Sequence, residues 1–218
     1  NLRQIWLALA KQVLVDGQIV DNIYQNWADI DPALPTERIE VLGPPPTSGT
    51  RDAFVELAME GGCETFSKIK ALKNRDNAAF KALCHAIRED GAYVEAGEND
   101  NLIVQKLVAN PKALGIFGFS FLEQNRDRIQ GNAIGGVMPE FDRISDGSYP
   151  ISRSMYFYVK SAHAGVIPGI KEFIGAFLDE EASGAYGYLT DKGLIPLGDE
   201  EREAVRDAAL ALEPLGLP

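Results

Sequence analysis

Apolar residues recur along the chain at two different spacings, and the alternation of these spacings predicts a mixed fold. Residues 2–14 carry apolar side chains at helical spacing, which predicts a helix that ends before the turn signal Asp16-Gly17. Residues 39–42 form a short stretch with β-branched side chains, which predicts a strand. Strands that alternate with helices are typical of α/β architecture.

The same patterns predict elements in the rest of the chain. Helices are predicted over residues 77–87, 101–108, 168–178 and 200–212. Asn99 or Asp100 is expected to cap the second of these helices. Buried strands are predicted over residues 114–119 and 155–159. In the last helix, the side chains of Val205, Ala209 and Leu212 are expected to face inward.

Composition and charge exclude several kinds of partner. The chain has 218 residues, of which 45% are hydrophobic and 24% charged, as in soluble globular proteins of one or two domains. No apolar run approaches the roughly 20 residues needed to cross a bilayer, so direct membrane insertion is not expected. The formal net charge of −11 disfavours nucleic acid and anionic membranes as partners. Any affinity for an anion must therefore come from short-range hydrogen bonds and a local positive charge.

The two cysteines, Cys63 and Cys84, leave two interpretations open. In an oxidising compartment they could form a disulfide across about 20 intervening residues, which would stabilise the fold by roughly 3 kcal/mol. The alternative is a pair of buried free thiols. Because no Cys or His residues have the spacing of metal ligands, no metal site is predicted.

Motifs of catalysis and of cofactor binding are missing from the sequence. There is no P-loop, no dinucleotide-binding glycine pattern and no metalloprotease motif. The two histidines, His85 and His163, have no nucleophile at a productive spacing. The chain is therefore predicted to be neither an enzyme nor a cofactor-binding protein.

One loop combines the residue types that suit an oxyanion. The rigid stretch Gly-Pro-Pro-Pro at residues 43–46 follows the first predicted strand and leads into Thr-Ser-Gly-Thr-Arg at the start of a helix. The first N–H groups of a helix have no partner within it, so a tetrahedral oxyanion can accept several of them. Hydroxyls add donors, glycine allows close backbone approach, and arginine offers a charge-assisted fork. The candidate phosphate-binding residues are Thr47, Ser48, Gly49, Thr50 and Arg51. We refer to residues 47–51 as the anion loop.

The alternative interpretation of the anion loop is an ordinary helix cap. Thr47 or Ser48 would then be the N-cap, and Arg51 would pair with a surface carboxylate.

Five segments in order resemble the phosphate-binding proteins of the high-affinity phosphate ABC transporter. They are residues 43–54 (GPPPTSGTRDAF), 90–107 (DGAYVEAGENDNLIVQKL), 113–122 (ALGIFGFSFL), 149–159 (YPISRSMYFYV) and 193–197 (GLIPL). The serine, glycine and threonine that bind phosphate in that family carry over to Ser48, Gly49 and Thr50. Many members have an arginine where this chain has Pro44, and Arg51 is the nearest replacement on chemical grounds.

The resemblance implies a type II periplasmic-binding-protein fold, in which two lobes clamp the anion. The chain is expected to lack the N-terminal part of the first lobe. Residues 1–148 would form the second lobe, with the anion loop, and residues 149–218 a crossover strand and C-terminal helices that contribute to the first lobe. The resemblance further implies a periplasmic protein that captures inorganic phosphate and delivers it to the membrane permease of the transporter.

Three other functions remain open at this point. The same fold could bind another oxyanion, such as sulfate or molybdate. A phosphoryl-transfer enzyme could use residues 48–51, although a metal-binding set and a general base are not recognisable in the sequence. A structural or signalling module would use the loop only as a helix cap.

Overall fold

Thirteen α-helices and two small β-sheets make up residues 1–214, the part of the chain that the computed structural model describes. Strands β1 (Gln12–Val15) and β2 (Gln18–Asp21) form an antiparallel hairpin. Strands β3 (Val41–Gly43), β4 (Tyr93–Glu95) and β5 (Leu114–Gly115) form a parallel sheet in the order β4-β3-β5.

The helices are short and follow one another closely. They are α1 (Leu2–Leu9), α2 (Trp27–Ile30), α3 (Gly49–Phe54), α4 (Glu60–Cys63), α5 (Ser67–Arg75), α6 (Asn77–Cys84), α7 (Asp100–Ala109), α8 (Phe119–Glu123), α9 (Phe141–Ser145), α10 (Ser161–Ala164), α11 (Ile170–Phe177), α12 (Glu180–Ser183) and α13 (Asp199–Leu210). A π-helical segment, Val55–Met59, joins α3 to α4, so that one helical segment runs from Gly49 to Cys63. A 3₁₀ turn spans Thr190–Lys192.

The N-termini of three helices lie at one edge of the parallel sheet. In the register of the sheet, Val41 of the central strand lies opposite Tyr93 on one side and Leu114 on the other. Each strand is followed by a loop and then by a helix, so β3 leads to α3, β4 to α7 and β5 to α8. Because the carboxyl ends of parallel strands lie at the same edge, the loops before these three helices lie at that edge. Ligands of α/β proteins bind in this position, where neighbouring connections diverge from the sheet.

Most of the buried core lies between Trp6 and Ala113. Trp6 is fully buried and packs against Phe66, with ring centroids 5.2 Å apart. A second, smaller cluster consists of Leu42, Ala96, Ile103 and Ala113. Cys63 and Cys84 form a disulfide that joins α4 to α6, with Cα atoms 5.6 Å apart.

Replacing Gly62 with alanine is expected to lower the free energy of unfolding by about 1–3 kcal/mol. Gly62 is buried in α4, and a Cβ there would stand 2.2 Å from the carbonyl oxygen of Leu2 and 2.7 Å from Cβ of Trp6. The matched control is Gly61→Ala, whose Cβ would meet only the flexible end of the Leu2 side chain, at 3.0 Å. Both substitutions replace a helical glycine with alanine, so the gain in helix propensity is the same in the two variants. Urea denaturation compares them, and equal stability of the two variants would contradict the prediction.

Several predicted elements have the predicted positions. Helix α6 lies within residues 77–87, α7 covers residues 101–108, and β3 overlaps residues 39–42. Helix α11 lies within residues 168–178, although its Phe173 side chain is 63% exposed. The N-cap of α7 is Asn99, whose side chain accepts a hydrogen bond from the backbone N–H of Asn101 at 3.0 Å.

The prediction of a single helix over residues 2–14 is wrong. Helix α1 ends at Leu9, and residues 12–15 belong to the β1–β2 hairpin. The hairpin turn is Asp16-Gly17, in which both residues have positive φ values, of 48° and 79°. That dipeptide is a hairpin signal as well as a helix stop, because two-residue hairpin turns need left-handed backbone.

The prediction of a buried strand over residues 155–159 is also wrong. Within residues 1–214 this segment has no hydrogen-bonded neighbouring strand, and the side chains of Met155 and Tyr158 are 79% and 74% exposed. A strand requires a partner, and β-branched or aromatic composition alone does not supply one.

Two further predictions need correction. The strand predicted over residues 114–119 is reduced to Leu114–Gly115, because the chain turns into α8 at Phe119. Helix α13 ends at Leu210, so that Leu212 lies outside it, and Val205 is 40% exposed rather than buried. The buried residue of α13 is Arg202, which is only 7% exposed and pairs with the carboxylate of Glu180.

Candidate functional site

The anion loop forms the N-terminus of the helical segment that begins at Gly49. Ser48 is the N-cap, with extended backbone (φ −90°, ψ 131°), and its Oγ accepts a hydrogen bond from the backbone N–H of Thr50 at 3.2 Å. The Ser48 N–H donates back to the Pro45 carbonyl at 3.0 Å, which closes the turn. A hydroxyl that accepts a bond in this way keeps its own hydrogen as a donor. The loop is therefore both a helix cap and a set of donors at the carboxyl edge of the sheet.

Gly49 leaves the side of this helix start open. Among the residues that the structure describes, no atom other than those of its chain neighbours and of its own helix backbone lies within 4 Å of the place where a Cβ of Gly49 would stand. Gly49 is exposed and its neighbours Ser48 and Thr50 are half-buried. A small ligand can therefore approach the backbone of the first helical turn.

Thr47 uses its hydroxyl within the protein. Its Oγ1 donates a hydrogen bond to the carboxylate of Glu98, in the loop between β4 and α7. The bond ties the loop after β3 to the loop after β4. The structure therefore places Thr47 beside the other candidate residues, with its hydroxyl engaged by an acidic side chain.

Arg51 is directed toward the sheet. Its Nη1 donates to the carbonyl oxygen of Pro44 at 3.2 Å, and its guanidinium carbon lies 4.5 Å from the centroid of the Tyr93 ring. The same nitrogen is 3.9 Å from Oε1 of Glu95, and the Arg51 side chain is 14% exposed. In this structure the guanidinium therefore fastens the proline stretch to β4.

Tyr93 also holds the proline stretch in place. Its hydroxyl donates to the Pro44 carbonyl at 2.6 Å, so that this carbonyl accepts bonds from two side chains. Burial raises the pKa of the Tyr93 hydroxyl, which therefore stays protonated and a donor at neutral pH. The proline stretch before the anion loop is held rigidly in place.

The other two helix starts at this edge are linked to each other. Oδ2 of Asp100, the first residue of α7, accepts a hydrogen bond from the backbone N–H of Gly118 at 3.3 Å. Gly118 is the N-cap of α8. Burial raises the pKa of the Asp100 carboxyl.

Arg153 contacts the anion loop from a distant part of the sequence. Its Nη2 donates to the carbonyl oxygen of Gly49 at 3.3 Å, across a sequence separation of 104 residues. Arg153, Gly49 and Thr50 line the same surface groove, together with Gly118 and Ser152. Sequence reasoning missed this residue, because the pattern around it indicates only a strand. Its position inside a segment that resembles the phosphate-binding family is the one sequence signal that could have identified it.

Residues 1–214 contain neither a cluster of metal-ligand residues nor a membrane-spanning helix. No group of three or more His, Cys, Asp or Glu side chains in these residues is arranged to hold a metal ion. Over the same range, no helix is long and apolar enough to cross a bilayer.

Known proteins are similar to this chain over most of its length. A family model described as a PBP superfamily domain matches residues 6–181. The phosphate-binding protein PstS of Staphylococcus saprophyticus is 28% identical over 185 residues, which cover 83% of this chain and 48% of that protein. Protein SphX of Synechocystis is 26% identical over 205 residues, covering 92% of this chain and 49% of that protein. The chain thus spans about half the length of the curated relatives it matches.

Two solved structures share the fold. The crystal structure of a possible phosphate binding protein from Planctomyces limnophilus aligns with a TM-score of 0.57 and 22% identity, over 96% of this chain and 63% of that one. PstS from Borrelia burgdorferi aligns with a TM-score of 0.51 and 13% identity, over 90% of this chain and 63% of that one. At these identities the similarity concerns the fold alone, and it confirms the predicted α/β binding-protein class.

Proposed function

Because the chain belongs to the PBP superfamily, we propose that it binds inorganic phosphate as the substrate-binding component of an ABC transporter and delivers it to the membrane permease. The relatives named as phosphate-binding proteins support the choice of phosphate. Capture and release of the anion require no bond to be made or broken, and the protein acts through conformational change.

The observation that carries this proposal is the open helix start at Ser48, Gly49 and Thr50. These three residues stand together at the carboxyl edge of the parallel sheet, with the Ser48 cap in place and the Gly49 backbone accessible. The helical segment behind them runs on to Cys63, so that its dipole favours an anion at this end.

We place the protein outside the cytoplasmic membrane, in the periplasm. The disulfide between Cys63 and Cys84 supports this location, because disulfides persist in oxidising compartments and are rare in the cytosol.

We further propose that residues 1–148 form the lobe with the anion loop and that residues 149–218 contribute to the other lobe; residues 215–218 lie outside the described part. The two core clusters support this division, since their buried members all fall between Trp6 and Ala113. The exposed apolar side chains of Met155 and Tyr158 also support it, because a second lobe would cover them.

The test is a titration with phosphate in which two-dimensional NMR follows the amide signals of Gly49 and Thr50. Sulfate and molybdate are titrated in parallel. We expect these two signals to shift with phosphate at lower concentrations than with the other anions. No shift of either signal with phosphate would contradict the proposal, and tighter binding of sulfate or molybdate would reassign the ligand.

Two substitutions of Ser48 separate anion binding from helix capping. Ser48→Ala removes the cap and a donor, and should lower the free energy of unfolding by about 1 kcal/mol and weaken phosphate binding. Ser48→Asp keeps a good cap but adds a negative charge, so stability should be retained while phosphate affinity falls roughly 10- to 1000-fold. Unchanged phosphate affinity in Ser48→Asp would show that the loop is only a cap.

A further inference from the structure

We propose that Arg153 supplies the positive charge for the oxyanion at the anion loop. This inference rests on the proposed function, and it assigns to the same site a residue from a distant segment of the chain. Arg153 would be an anion-contacting residue that reaches Gly49 in the first helical turn.

A cation is needed at the loop because the rest of the molecule opposes an anion. The formal net charge is −11, and the carboxylate of Glu98 touches the hydroxyl of Thr47 inside the loop itself. Backbone N–H groups and hydroxyls provide directed hydrogen bonds, but they carry only partial charges. A full positive charge within hydrogen-bond reach offsets the local repulsion.

Arg51 is poorly placed to supply this charge. Its guanidinium donates to the Pro44 carbonyl, stacks on Tyr93 and lies within 3.9 Å of Glu95. To reach an anion at Gly49, Arg51 would have to give up contacts that fasten the proline stretch to the sheet. The nearby carboxylate of Glu95 also offsets its charge.

Arg153 has the geometry that Arg51 lacks. Its Nη2 lies 3.3 Å from the carbonyl oxygen of Gly49, a residue that has no Cβ to crowd the approach. A guanidinium has five N–H donors, so the bond to Gly49 leaves most of them for a ligand. Among the ion pairs of residues 1–214, none involves Arg153, and its side chain is exposed. Its charge is therefore not neutralised by a neighbouring carboxylate.

The segment that carries Arg153 is held in place at its base. The hydroxyl of Ser152 donates to the Tyr149 carbonyl at 2.9 Å, and Ile151 packs against the main core cluster. Ser152, Arg153 and Ser154 line the groove that also contains Gly49 and Thr50. The guanidinium therefore starts from an anchored turn, and this limits the entropy lost when it binds an anion.

The experiment compares phosphate affinities of the unsubstituted chain, Arg153→Gln, Arg153→Lys and the control Arg143→Gln, by NMR titration. Arg143→Gln makes the same charge change in α9, where Arg143 lies near Asp146 at 3.9 Å. We expect Arg153→Gln to weaken phosphate binding about tenfold or more, and Arg153→Lys to weaken it less, since it keeps the charge but loses the fork. The control should stay within about twofold, because Arg143 is exposed to screening by salt and the carboxylate of Asp146 offsets its charge.

Two further readouts are specific to a charge contact. Sulfate affinity should fall in the same proportion as phosphate affinity, since a guanidinium attracts both anions. The difference in phosphate affinity between the unsubstituted chain and Arg153→Gln should also shrink as the salt concentration is raised.

Equal phosphate affinities of these two proteins would overturn the role of Arg153 and leave the proposed function standing. Absence of phosphate binding by the unsubstituted chain would overturn both. If Arg153→Gln does not fold, Arg153→Ala takes its place, and an affinity equal to that of the unsubstituted chain would overturn the proposal.

Discussion

Replacing Arg88 with alanine is expected to lower the free energy of unfolding by about 2–5 kcal/mol. The Arg88 side chain is 3% exposed, and its Nη1 donates to the carbonyl oxygens of Ala8 at 3.2 Å and Tyr24 at 2.7 Å. Its Nε donates to Oδ1 of Asp90 at 2.8 Å. Alanine would leave the Ala8 and Tyr24 carbonyls without this donor and open a cavity beside α1. Urea denaturation at pH 7 measures the loss.

A control variant and the pH dependence of stability make this prediction specific to Arg88. Arg75→Ala removes an exposed arginine at the end of α5 and should change stability by no more than about 0.5 kcal/mol. Arg88 lowers the pKa of the Asp90 carboxyl below its ordinary value of 3.8 by hydrogen bonding to it. Asp90 therefore adds stability above that value and loses it as pH falls through the lowered pKa, and this acid dependence should weaken in Arg88→Ala. A loss at pH 7 no larger than that of Arg75→Ala would contradict the prediction.

Removing the disulfide by the double substitution Cys63→Ala, Cys84→Ala is expected to cost about 3 kcal/mol. The bond closes a loop with a sequence separation of 21, and both sulfurs are fully buried between α4 and α6. Without the disulfide the unfolded chain gains conformational entropy, while the conformational entropy of the folded state stays the same. Urea denaturation of the oxidised protein and of the double variant measures the difference.

The reduced protein provides the matched control for the disulfide. The chain has only these two cysteines, so a reducing agent should shift the denaturation midpoint of the unsubstituted protein and leave that of the double variant unchanged. Coincident midpoints for oxidised and reduced protein would contradict the prediction. A large shift would further support the proposed location in the periplasm, where such a bond persists.

Local signals were sufficient for the anion loop and the elements next to it. A short β-branched strand, a stretch of prolines and a Ser-Gly-Thr sequence indicate a strand, a rigid turn and a capped helix. The structure contains β3, a turn at residues 46–47 and α3 in that order. The Asn99 cap of α7 was predictable for the same reason. Capping and turn formation depend on residues within a few positions of each other, so the sequence contains the whole interaction.

Elements that depend on a distant partner were predicted poorly. Residues 155–159 have the composition of a strand, but in the described part of the chain nothing pairs with them. The face of α13 was misjudged because Arg202 is buried by its contacts with Leu178 and Glu180. Apolar periodicity indicates which side chains are suited to a core, but it does not show which of them are buried in the folded protein.

By itself the sequence determined the family resemblance, the α/β class and the location of a candidate oxyanion loop at a helix start. The tertiary structure decided how the charged groups are arranged around that loop. It turned Arg51 inward to Pro44 and Tyr93, and it brought Arg153 to the carbonyl of Gly49. The physical reason is the sequence separation between the interacting residues. A helix cap is made by neighbours in sequence, whereas a guanidinium contact across 104 residues exists only once the chain has folded.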